Sequence, residues 1–550
     1  MNLVIIEAIG KIKTVELLAK NKWGKDTRVL ATGGYLYTLP DDNVGIDPYT
    51  FRANDDRRTK HSYFFEKELV KYSQQYGAAG HHFLLMTDPD REGEGIAEQS
   101  KKLIEKYFVK PTFQRVYVNE LTFDGVTHAH VENNTHAGIV ASFEARRVLD
   151  RLLPLSVAHQ LHRAGDFVGL GRLQTAALRV VGDKSKEWHK FVLEGWWKSD
   201  HGSYYVREYS NSEDNLRRKM TALKHAVHEE KPIIIEQSKY VEPPKPFSAQ
   251  ELMAQTKHIR PEKIMECLQR SYIEGRLSYP RTDQNVLGIA TKRVMAAIVG
   301  NLHLSHQMSN SWHQEDDTSE NWWVQGAHPG LHPTFNWAPS FKKPSNDTEY
   351  VEAVVAARAL ASVMKPAILE RSLRTIFTED GEPFSVVHDR LSDAGWTSIY
   401  ERLGLDNPLT PKLEFTRAYP SIKEQYPVLS HVIEWLNDEH LGRPATLSVL
   451  PSKLQSLNLL SSACIPTRYG DRQLQEIYNV MPQYTFSAFT KFMEDGLKHL
   501  IDEPNAYASV VKNILIQAGA DVISLPQAVQ MATPVDYEDV EINTISQLSM

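Results

Sequence analysis

The sequence contains almost no cysteine and no long apolar run. Cys267 and Cys464 are the only cysteines among its 550 residues, so a four-cysteine zinc site is excluded and no disulfide framework is predicted. No run of about 18 apolar residues occurs, so no membrane span is expected. The opening MNLVIIEAIGKIK puts its apolar stretch before the basic residues, which predicts a buried strand and not a secretory signal. These absences favour a reducing, cytoplasmic setting.

An excess of basic charge is also lacking, since the net charge is −7 and the isoelectric point is near 6.4. This argues only weakly against a nucleic-acid partner, because binding depends on local basic patches and not on the total charge. One such patch has few acids between its basic residues, which are Arg146, Arg147, Arg151, Arg163, Arg172, Arg179, Lys184, Lys186 and Lys190. By composition alone, a solvated helical face explains this patch better than a nucleic-acid surface.

The order of apolar patterns predicts several structural units, because 550 residues are too many for one core. LVIIEA, RVLAT, HFLLMTD and RVYVNE read as strands separated by helices, which predicts a parallel sheet with right-handed crossovers. Ligands of such sheets collect at the carboxyl ends of the strands, where Glu7 and Asp88 stand. Farther on, the pattern predicts a basic helical stretch at 141–190 and strand-like residues that close at the proline cluster 243–247. Two helices and a following strand or turn then suggest a winged-helix unit, and an antiparallel strand series over 368–400 and helices over 427–504 complete the pattern.

Three carboxylates follow directly on the third strand, in TDPDREGEGIA at residues 87–97. Asp88 and Asp90 are expected on the same side, and Glu92 is expected to fold back as the next helix starts. Hard oxygen ligands at this spacing suit Mg²⁺, and Glu7 joins them if the first and third strands are neighbours. Alternatively, acids at a helix start complement the helix dipole, which explains one or two carboxylates but not four. The set resembles the signature of Toprim domains, which occur in topoisomerases, bacterial primases and some nucleases.

The segment SYPRTD, residues 278–283, resembles the active-site motif of type IA DNA topoisomerases. The resemblance makes Tyr279 the nucleophile. A tyrosine has a pKa of about 10 and needs nearby positive charge, which Arg281 supplies. Taken alone, a tyrosine beside Pro-Arg is more often an exposed turn residue. A phosphotyrosine link keeps the energy of the broken phosphodiester, so resealing needs no ATP, in keeping with the absence of a G-x-x-x-x-G-K-[ST] motif.

Further segments resemble this family in the expected order, over roughly residues 2–505. They are ATGGYLYTLP at 31–40, RVYVNELT at 115–122, ARRVLDRLL at 145–153, GLGRLQTAALR at 169–179, PPKPFSAQELM at 243–253, AHPGLHPT at 327–334, GWTSIY at 395–400, LGRPAT at 441–446 and PTRYGDRQL at 466–474. The sequence is therefore identified as a member of the type IA topoisomerases. The proline after Tyr279 and the compact length resemble bacterial topoisomerase III more than topoisomerase I, and no C-terminal zinc-ribbon domain is expected.

The resemblance implies a role for each matched residue. The expected catalytic residues are Glu7, which protonates the leaving 3′ oxygen, Lys11, which contacts the scissile phosphate, and Tyr279, which takes the 5′ phosphate, with Arg281 and His328 beside it. The expected Mg²⁺ ligands are Asp88, Asp90, Glu92 and Glu7, and the expected DNA contacts are Arg172, Arg146, Arg115 and Gln174. Taken singly, His328 is as often a hydrogen-bonded structural histidine, and Arg172 fits a surface ion pair.

Three segments depart from the family pattern. EAIGK stands where most relatives carry Glu-Ser-Pro-Ala-Lys, so the turn between Glu7 and Lys11 is expected to differ. AHPGLHPT replaces a more usual Ala-His-x-Ala-Ile-x-Pro-Thr, which bears on the position of His328. Gln99 stands where a histidine often follows the acidic motif. None of these departures removes a primary catalytic residue.

The resemblance implies a multidomain fold, α/β plus α. A Toprim domain with a Rossmann-like parallel sheet, winged-helix domains and a strand-rich arch are expected to form a toroid. The expected domains are the Toprim domain at 1–140, a helical strand-binding domain at 141–192 and 425–550, the arch and hinge at 193–247 and 367–424, and a winged-helix-like domain with the tyrosine at 248–366.

The implied activity is Mg²⁺-dependent and ATP-independent: one DNA strand is cut through a 5′-phosphotyrosine, another strand passes and the break is religated. The outcome is relaxation of negative supercoils, decatenation, or both. The expected partner is single-stranded or negatively supercoiled DNA, with a helicase or single-strand-binding protein as accessory. The protein is expected to be a cytoplasmic, nucleoid-associated monomer with neither a membrane partner nor zinc. Two alternatives stay open: a Toprim nuclease or primase, and a relative that binds strands without chemistry.

Overall fold

The computed structural model of the protein describes residues 2–40, 44–54, 56–161, 170–188, 190–199, 202–224, 237–310, 328–377, 383–409 and 421–521. Residues 522–550 of the expected helical domain and Arg163 of the basic patch lie outside the described residues. Within the described ranges, none of the helices combines the length and the apolar character needed to span a membrane.

The described residues form an N-terminal α/β part, two small strand-rich sheets and a large helical part. The strands are β1 (Asn2–Ile6), β2 (Arg28–Ala31), β3 (Tyr37–Thr38), β4 (Arg57–Arg58), β5 (His82–Leu85), β6 (Thr112–Tyr117), β7 (His130–Glu132), β8 (Phe191–Ser199), β9 (Gly202–Ser210), β10 (Gln237–Val241), β11 (Ala367–Phe377), β12 (Pro383–Asp393) and β13 (Ser421–Glu424). The helices are α1 (Ile12–Trp23), α2 (Lys60–Tyr76), α3 (Arg91–Ile104), α4 (Phe123–Thr127), α5 (Ala137–Gln160), α6 (Arg172–Glu187), α7 (Glu213–Lys224), α8 (Ala249–Gln255), α9 (Pro261–Ile273), α10 (Ile289–Asn301), α11 (Asp347–Ala361), α12 (Ser398–Arg402), α13 (Leu429–Asp438), α14 (Pro444–Ser456), α15 (Arg468–Val480), α16 (Ser487–Asp502) and α17 (Tyr507–Ala518).

The N-terminal sheet has the strand order β2–β1–β5–β6–β7. Four of its strands are parallel, as the alternating pattern predicts, and β7 adds an antiparallel edge that its short HVE segment does not reveal. Apolar clusters cover both faces of β1. β1 and β5 are neighbours, with Ile5 opposite Leu85. Their carboxyl ends therefore meet, which brings Glu7 beside Asp88.

The two helices predicted before SYPRTD are α8 and α9. Ser248 caps α8 through a reciprocal capping box, and Pro261 begins α9, as their positions predict. Gly275 follows α9 with a positive φ of 70°. A Cβ atom at Gly275 would lie 2.6 Å from the carbonyl oxygen of Leu121, so glycine lets the chain turn closely against the N-terminal part. The residues after this glycine, for which the sequence predicts a strand or a turn, form an isolated bridge between Leu277 and Pro333.

The helical part packs α5, α6 and α13–α17 into the largest apolar cluster of the described residues. α5 and α16 approach so closely that a Cβ atom at Gly138 would lie 1.9 Å from the carbonyl oxygen of Ile501. α3 of the N-terminal part also packs against α5. This packing joins the acidic loop at the start of α3 to the helical part, and Arg91 contacts Glu494 across the junction.

The strand-rich residues form two three-stranded sheets, β10–β11–β12 and β13–β8–β9. β11 and β12 pair antiparallel, as predicted. The end of the predicted strand series is different: residues 395–400 form a 3₁₀ turn and the start of α12. Trp396 is buried there and donates its indole N–H to the carbonyl oxygen of Val241 at 3.0 Å, which turns the chain into the core. α7, which the sequence pattern does not reveal, packs on β8 and β9.

Candidate active site

Asp88 and Asp90 lie on a tight loop between β5 and α3. The Asp90 carboxylate accepts the N–H of Gly93 at 2.8 Å and so caps α3. The Thr87 hydroxyl donates to the carbonyl oxygen of Gly93 at 2.6 Å. A Cβ atom at Gly93 would lie 2.0 Å from the carbonyl oxygen of Asp88, so this loop requires glycine there. The local sequence therefore fixes the positions of both carboxylates.

Arg115 lies beneath this loop with no exposed surface. Its Nε pairs with Glu94 at 2.8 Å. Its other N–H groups donate to the carbonyl oxygens of Leu85, Thr87 and Asp88 at distances of 3.0, 3.0 and 2.8 Å. This enclosed position does not favour the DNA contact predicted for Arg115. A fully enclosed guanidinium with satisfied donors holds the acidic loop in place instead.

Glu7 stands at the end of β1 with only 6% of its surface exposed. Its Oε2 atom has no hydrogen-bond partner among the described residues. Burial, together with repulsion from Asp88, raises the pKa of Glu7 to about 8. Most Glu7 side chains therefore carry a proton at neutral pH, and a neutral carboxylic acid is a proton donor.

Lys11 ends a 3₁₀ turn over Ile9–Lys11 and forms a buried ion pair with Asp88. Its Nζ atom also lies 4.8 Å from the centre of the Tyr272 ring. The departure EAIGK thus leaves Lys11 at the acidic loop, where its charge offsets that of the neighbouring carboxylate.

Tyr279 is fully buried against the N-terminal sheet. Its hydroxyl donates to Asp90 Oδ2 at 2.6 Å, and its N–H donates to the carbonyl oxygen of Asn119 at 2.9 Å. Arg281 Nη1 lies 3.3 Å from the same Asp90 oxygen. Burial and the charge of Asp90 raise the pKa of Tyr279 well above its usual value, and Arg281 offsets this only in part. The phenol is therefore protonated in this closed arrangement.

His328 lies beside the nucleophile, with its ring centre 4.6 Å from that of Tyr279. Its Nδ1 atom is 3.1 Å from Asn119 Oδ1. Burial lowers the pKa of His328 to about 4, so the ring is neutral at pH 7. Two residues farther on in AHPGLHPT, Gly330 packs closely, since a Cβ atom there would lie 2.9 Å from Pro246.

The carboxylates fit Mg²⁺ by their chemistry, although each has another partner in this arrangement. Asp88 pairs with Lys11, and Asp90 accepts from Tyr279. Burial alone would raise the pKa of Asp90, but the Arg281 guanidinium and the Tyr279 hydroxyl outweigh it and lower that pKa to about 2. Across the described ranges, no three acidic, histidine or cysteine side chains are grouped as a ready metal site. The carboxylates of Asp88 and Asp90 and the unpartnered oxygen of Glu7 are nevertheless hard donors of the kind that bind a divalent cation. Binding by Asp88 requires Lys11 to move away from it.

Glu92 points away from these carboxylates. Its Oε2 atom accepts the Tyr35 hydroxyl, and its Oε1 atom lies 3.1 Å from Arg146 Nη1. Both oxygens of Glu92 are engaged by a tyrosine and an arginine in this arrangement, so ligation of Mg²⁺ by Glu92 stays a prediction that requires these contacts to change. Arg146 also lies 3.4 Å from Asp150, so the predicted basic stretch faces acids of its own chain here and not solvent alone.

Two of the predicted DNA contacts stand in the first turn of α6. Arg172 has 2% of its side chain exposed and lies 3.5 Å from Glu494 and 3.8 Å from Asp150, so its ion pairs are internal and not on the surface. Gln174 is buried, and its amide oxygen accepts the N–H of Gly171 at 3.0 Å. Contact of Arg172, Arg146 and Gln174 with DNA stays a prediction.

Several residues at the site were not singled out from the sequence. Asn119 contacts both Tyr279 and His328, and it lies within RVYVNELT, where only Arg115 was singled out. No local sequence motif identifies Glu494, because its arginine partners are distant in sequence. Gln99, which replaces a histidine, bonds the backbone of residues 36–37 and so has a structural role.

The parallel sheet with its acidic carboxyl-terminal edge defines a Toprim domain. The Toprim domain profile matches residues 2–121, and the DNA topoisomerase profile matches residues 134–512. The chain belongs to the type IA DNA topoisomerase family, whose members are ATP-independent isomerases.

The chain is similar to DNA topoisomerase 1 of Aquifex aeolicus (strain VF5), at 25% identity over 556 residues that cover 92% of this chain and 95% of that protein. The solved structure of full-length topoisomerase I from Thermotoga maritima matches with a TM-score of 0.68 at 19% identity, covering 95% of this chain and 90% of that chain. The expected multidomain α/β toroidal fold is thereby confirmed.

Proposed function

We propose that the protein cuts one DNA strand by attack of the Tyr279 oxygen on a backbone phosphate. The phenol releases its proton to solvent as a bond forms between that oxygen and the 5′ phosphate, and the bond to the 3′ oxygen breaks. Another strand passes through the gap, and the reverse step reseals the break. The observation that supports this best is the hydrogen bond from the Tyr279 hydroxyl to Asp90, next to the buried acid Glu7.

The residues of the site divide the proton and charge chemistry among them. Glu7 gives its proton to the leaving 3′ oxygen in cleavage and takes it back in religation, which its raised pKa allows at neutral pH. Lys11 and Arg281 offset negative charge that develops on the phosphate.

Tyr279 is held unreactive in the closed arrangement, because burial and the charge of Asp90 both oppose formation of the phenolate. A Mg²⁺ ion held by Asp88 and Asp90 would supply positive charge to the phosphate and neutralise these carboxylates. Once the charge of Asp90 is neutralised, the main charge that disfavours the Tyr279 phenolate is gone, and the nearby Arg281 favours its formation.

The strand itself is proposed to bind along the arginines of α5 and α6, among them Arg146 and Arg172, with Gln174 nearby. Contacts between guanidinium groups and phosphates make the affinity fall steeply with salt. Single-stranded or negatively supercoiled DNA therefore fits this site best, because unpaired backbone is available in both.

Trapping of a covalent adduct tests the proposal. The protein is incubated with labelled single-stranded DNA, with Mg²⁺ or with a chelator, and stopped with denaturant. We expect label to migrate with the protein only with Mg²⁺, and Tyr279→Phe to remove it. Tyr272→Phe is the matched control, because this neighbouring tyrosine is also buried and its ring lies 5.5 Å from that of Tyr279.

Each contrary outcome points to a defined alternative. Adduct formation by Tyr279→Phe would refute the nucleophile. Free cleaved ends without an adduct would indicate a Toprim nuclease, and binding without cleavage a relative that has lost its chemistry. The proline after Tyr279 predicts a topoisomerase III-like preference for decatenation, so relaxation of supercoiled plasmid and unlinking of catenated circles are to be compared in parallel.

A further inference from the structure

One carboxylate beside the active site is surrounded by arginines from separate segments. Glu494, on α16, has its Oε2 atom 3.1 Å from Arg91 Nη2 and its Oε1 atom 3.5 Å from Arg172 Nη2. Burial alone would raise the pKa of Glu494, but Arg91, Arg172, Arg146 and Arg443 together lower that pKa far below its usual range. Glu494 is therefore fully ionised and lies within the field of four guanidinium groups.

These arginines have more donors than the carboxylate uses. Arg91 Nη1 and both the Nε and Nη1 atoms of Arg172 are buried with no hydrogen-bond partner among the described residues. The side chain of Arg172 is 2% exposed and that of Arg91 12% exposed. Buried guanidinium N–H groups without acceptors are costly, so the pocket is built for an anion with more acceptor oxygens than Glu494 supplies.

Two other acids lie near these arginines but do not supply acceptors to the unpartnered donors of Arg91 and Arg172. Asp150 lies 3.4 Å from Arg146 and 3.8 Å from Arg172, and Asp283 lies 3.1 Å from Arg443. Glu494 is the carboxylate that Arg91 and Arg172 share.

We infer that Glu494 is a placeholder for a backbone phosphate of the bound strand, and that strand binding displaces its carboxylate from Arg91 and Arg172. The inference rests on the proposed function. A phosphodiester carries one negative charge and two unesterified oxygens, as a carboxylate does, and its two ester oxygens are additional, weaker acceptors. Arg91 directly follows Asp90 in the chain, so this phosphate subsite adjoins the cleavage site.

A placeholder has two opposite effects on the protein. Without DNA it stabilises the fold, because it separates four like charges. With DNA it lowers the affinity, because the phosphate must compete with it. A residue that merely orients the arginines would instead raise the affinity, so the sign of the change distinguishes the two roles.

The test measures binding of a fluorescent oligothymidylate by anisotropy, in the full chain carrying Tyr279→Phe so that the strand is not cut. Glu494→Gln removes the charge, and Glu494→Asp withdraws the carboxylate from the arginines. Asp495→Asn is the matched control, because Asp495 is the next residue on α16 and is exposed. We expect Glu494→Gln to lower the Kd by about tenfold, the size of one charge-assisted contact, Glu494→Asp to lower it less and Asp495→Asn to leave it nearly unchanged.

Thermal unfolding gives a second readout. Glu494→Gln should melt below the parent protein without DNA, and added oligothymidylate should raise its melting temperature more than that of the parent. Unchanged or weaker binding in both Glu494 variants overturns the inference, even if the covalent adduct still forms. Failure of the wild-type chain to bind any strand refutes the proposed function itself.

Discussion

Replacing Glu7 by glutamine removes a carboxyl group that the fold keeps from ionising. Burial and the neighbouring Asp88 raise its pKa from 4.5 to about 8. Because the folded value lies above the unfolded one, ionisation opposes folding. The free energy of unfolding therefore falls as the pH rises from about 4.5 to about 8, and this loss is complete above that window. Glutamine keeps the shape of the side chain but cannot ionise, so the Glu7→Gln variant does not lose this part of its free energy of unfolding as the pH rises.

The size of the effect follows from the pKa difference. Each pKa unit corresponds to about 1.4 kcal/mol. A pH of 7 lies about 2.5 units above the unfolded pKa of 4.5, so the wild-type protein carries a penalty of about 3 kcal/mol that the variant lacks. Near pH 4.5 the penalty vanishes, and by pH 8 it reaches about 4 to 5 kcal/mol.

Thermal unfolding in a chelating buffer between pH 5 and 8.5 measures this difference. Glu7→Gln should melt above the wild-type protein, with an advantage that grows as the pH rises. Glu105→Gln is the matched control, because Glu105 is exposed at the end of α3 in the same part of the chain. Equal melting temperatures at every pH, or an advantage that shrinks as the pH rises, would refute a buried protonated Glu7 and with it the proposed proton donor.

Three further predictions concern the same site. Arg115→Met leaves Glu94 buried without its partner, so it should destabilise the protein by about 3 to 5 kcal/mol in denaturant unfolding, and unchanged stability would contradict its supporting role. His328→Gln should lower the yield of covalent adduct without shifting its pH profile between pH 6 and 8, because burial lowers the pKa of His328 to about 4; a shifted profile would mean that His328 titrates there. The double substitution Asp88→Asn with Asp90→Asn should abolish Mg²⁺-dependent relaxation of supercoiled plasmid, and full activity in limiting Mg²⁺ would count against both residues as ligands.

The N-terminal sheet and the acidic loop were predictable because their information is local. An apolar strand ends, two aspartates follow, and the alternation of strands and helices implies that the strand ends meet. The same reasoning contained the signal against a DNA role for Arg115. That residue lies inside the predicted strand RVYVNE, and strands of a parallel sheet are covered on both faces, so an arginine there must be buried and paired.

The arginine pocket was not predictable because its members come together only in the tertiary structure. Arg91 and Glu494 are 403 residues apart in sequence, and no periodic pattern joins α3 to α16. The surroundings of Glu92 were not predictable for the same reason. Its spacing from Asp90 fits a metal site, but Tyr35 and Arg146 approach it from other segments and take both oxygens.

The contacts that enclose Tyr279 also bear on how the site opens without ATP. The Tyr279 N–H and the His328 ring both bond Asn119, and His332 Nε2 lies 2.9 Å from Glu120. Each such hydrogen bond contributes about 0.5–1.5 kcal/mol net, and burial of the tyrosine ring adds about 1.5–3 kcal/mol. The sum, about 3 to 7.5 kcal/mol, is the cost of opening the site in the proposed mechanism. In that mechanism, a strand that binds the already open site with a Kd near 1 μM would release about 8 kcal/mol, which is enough to offset this cost.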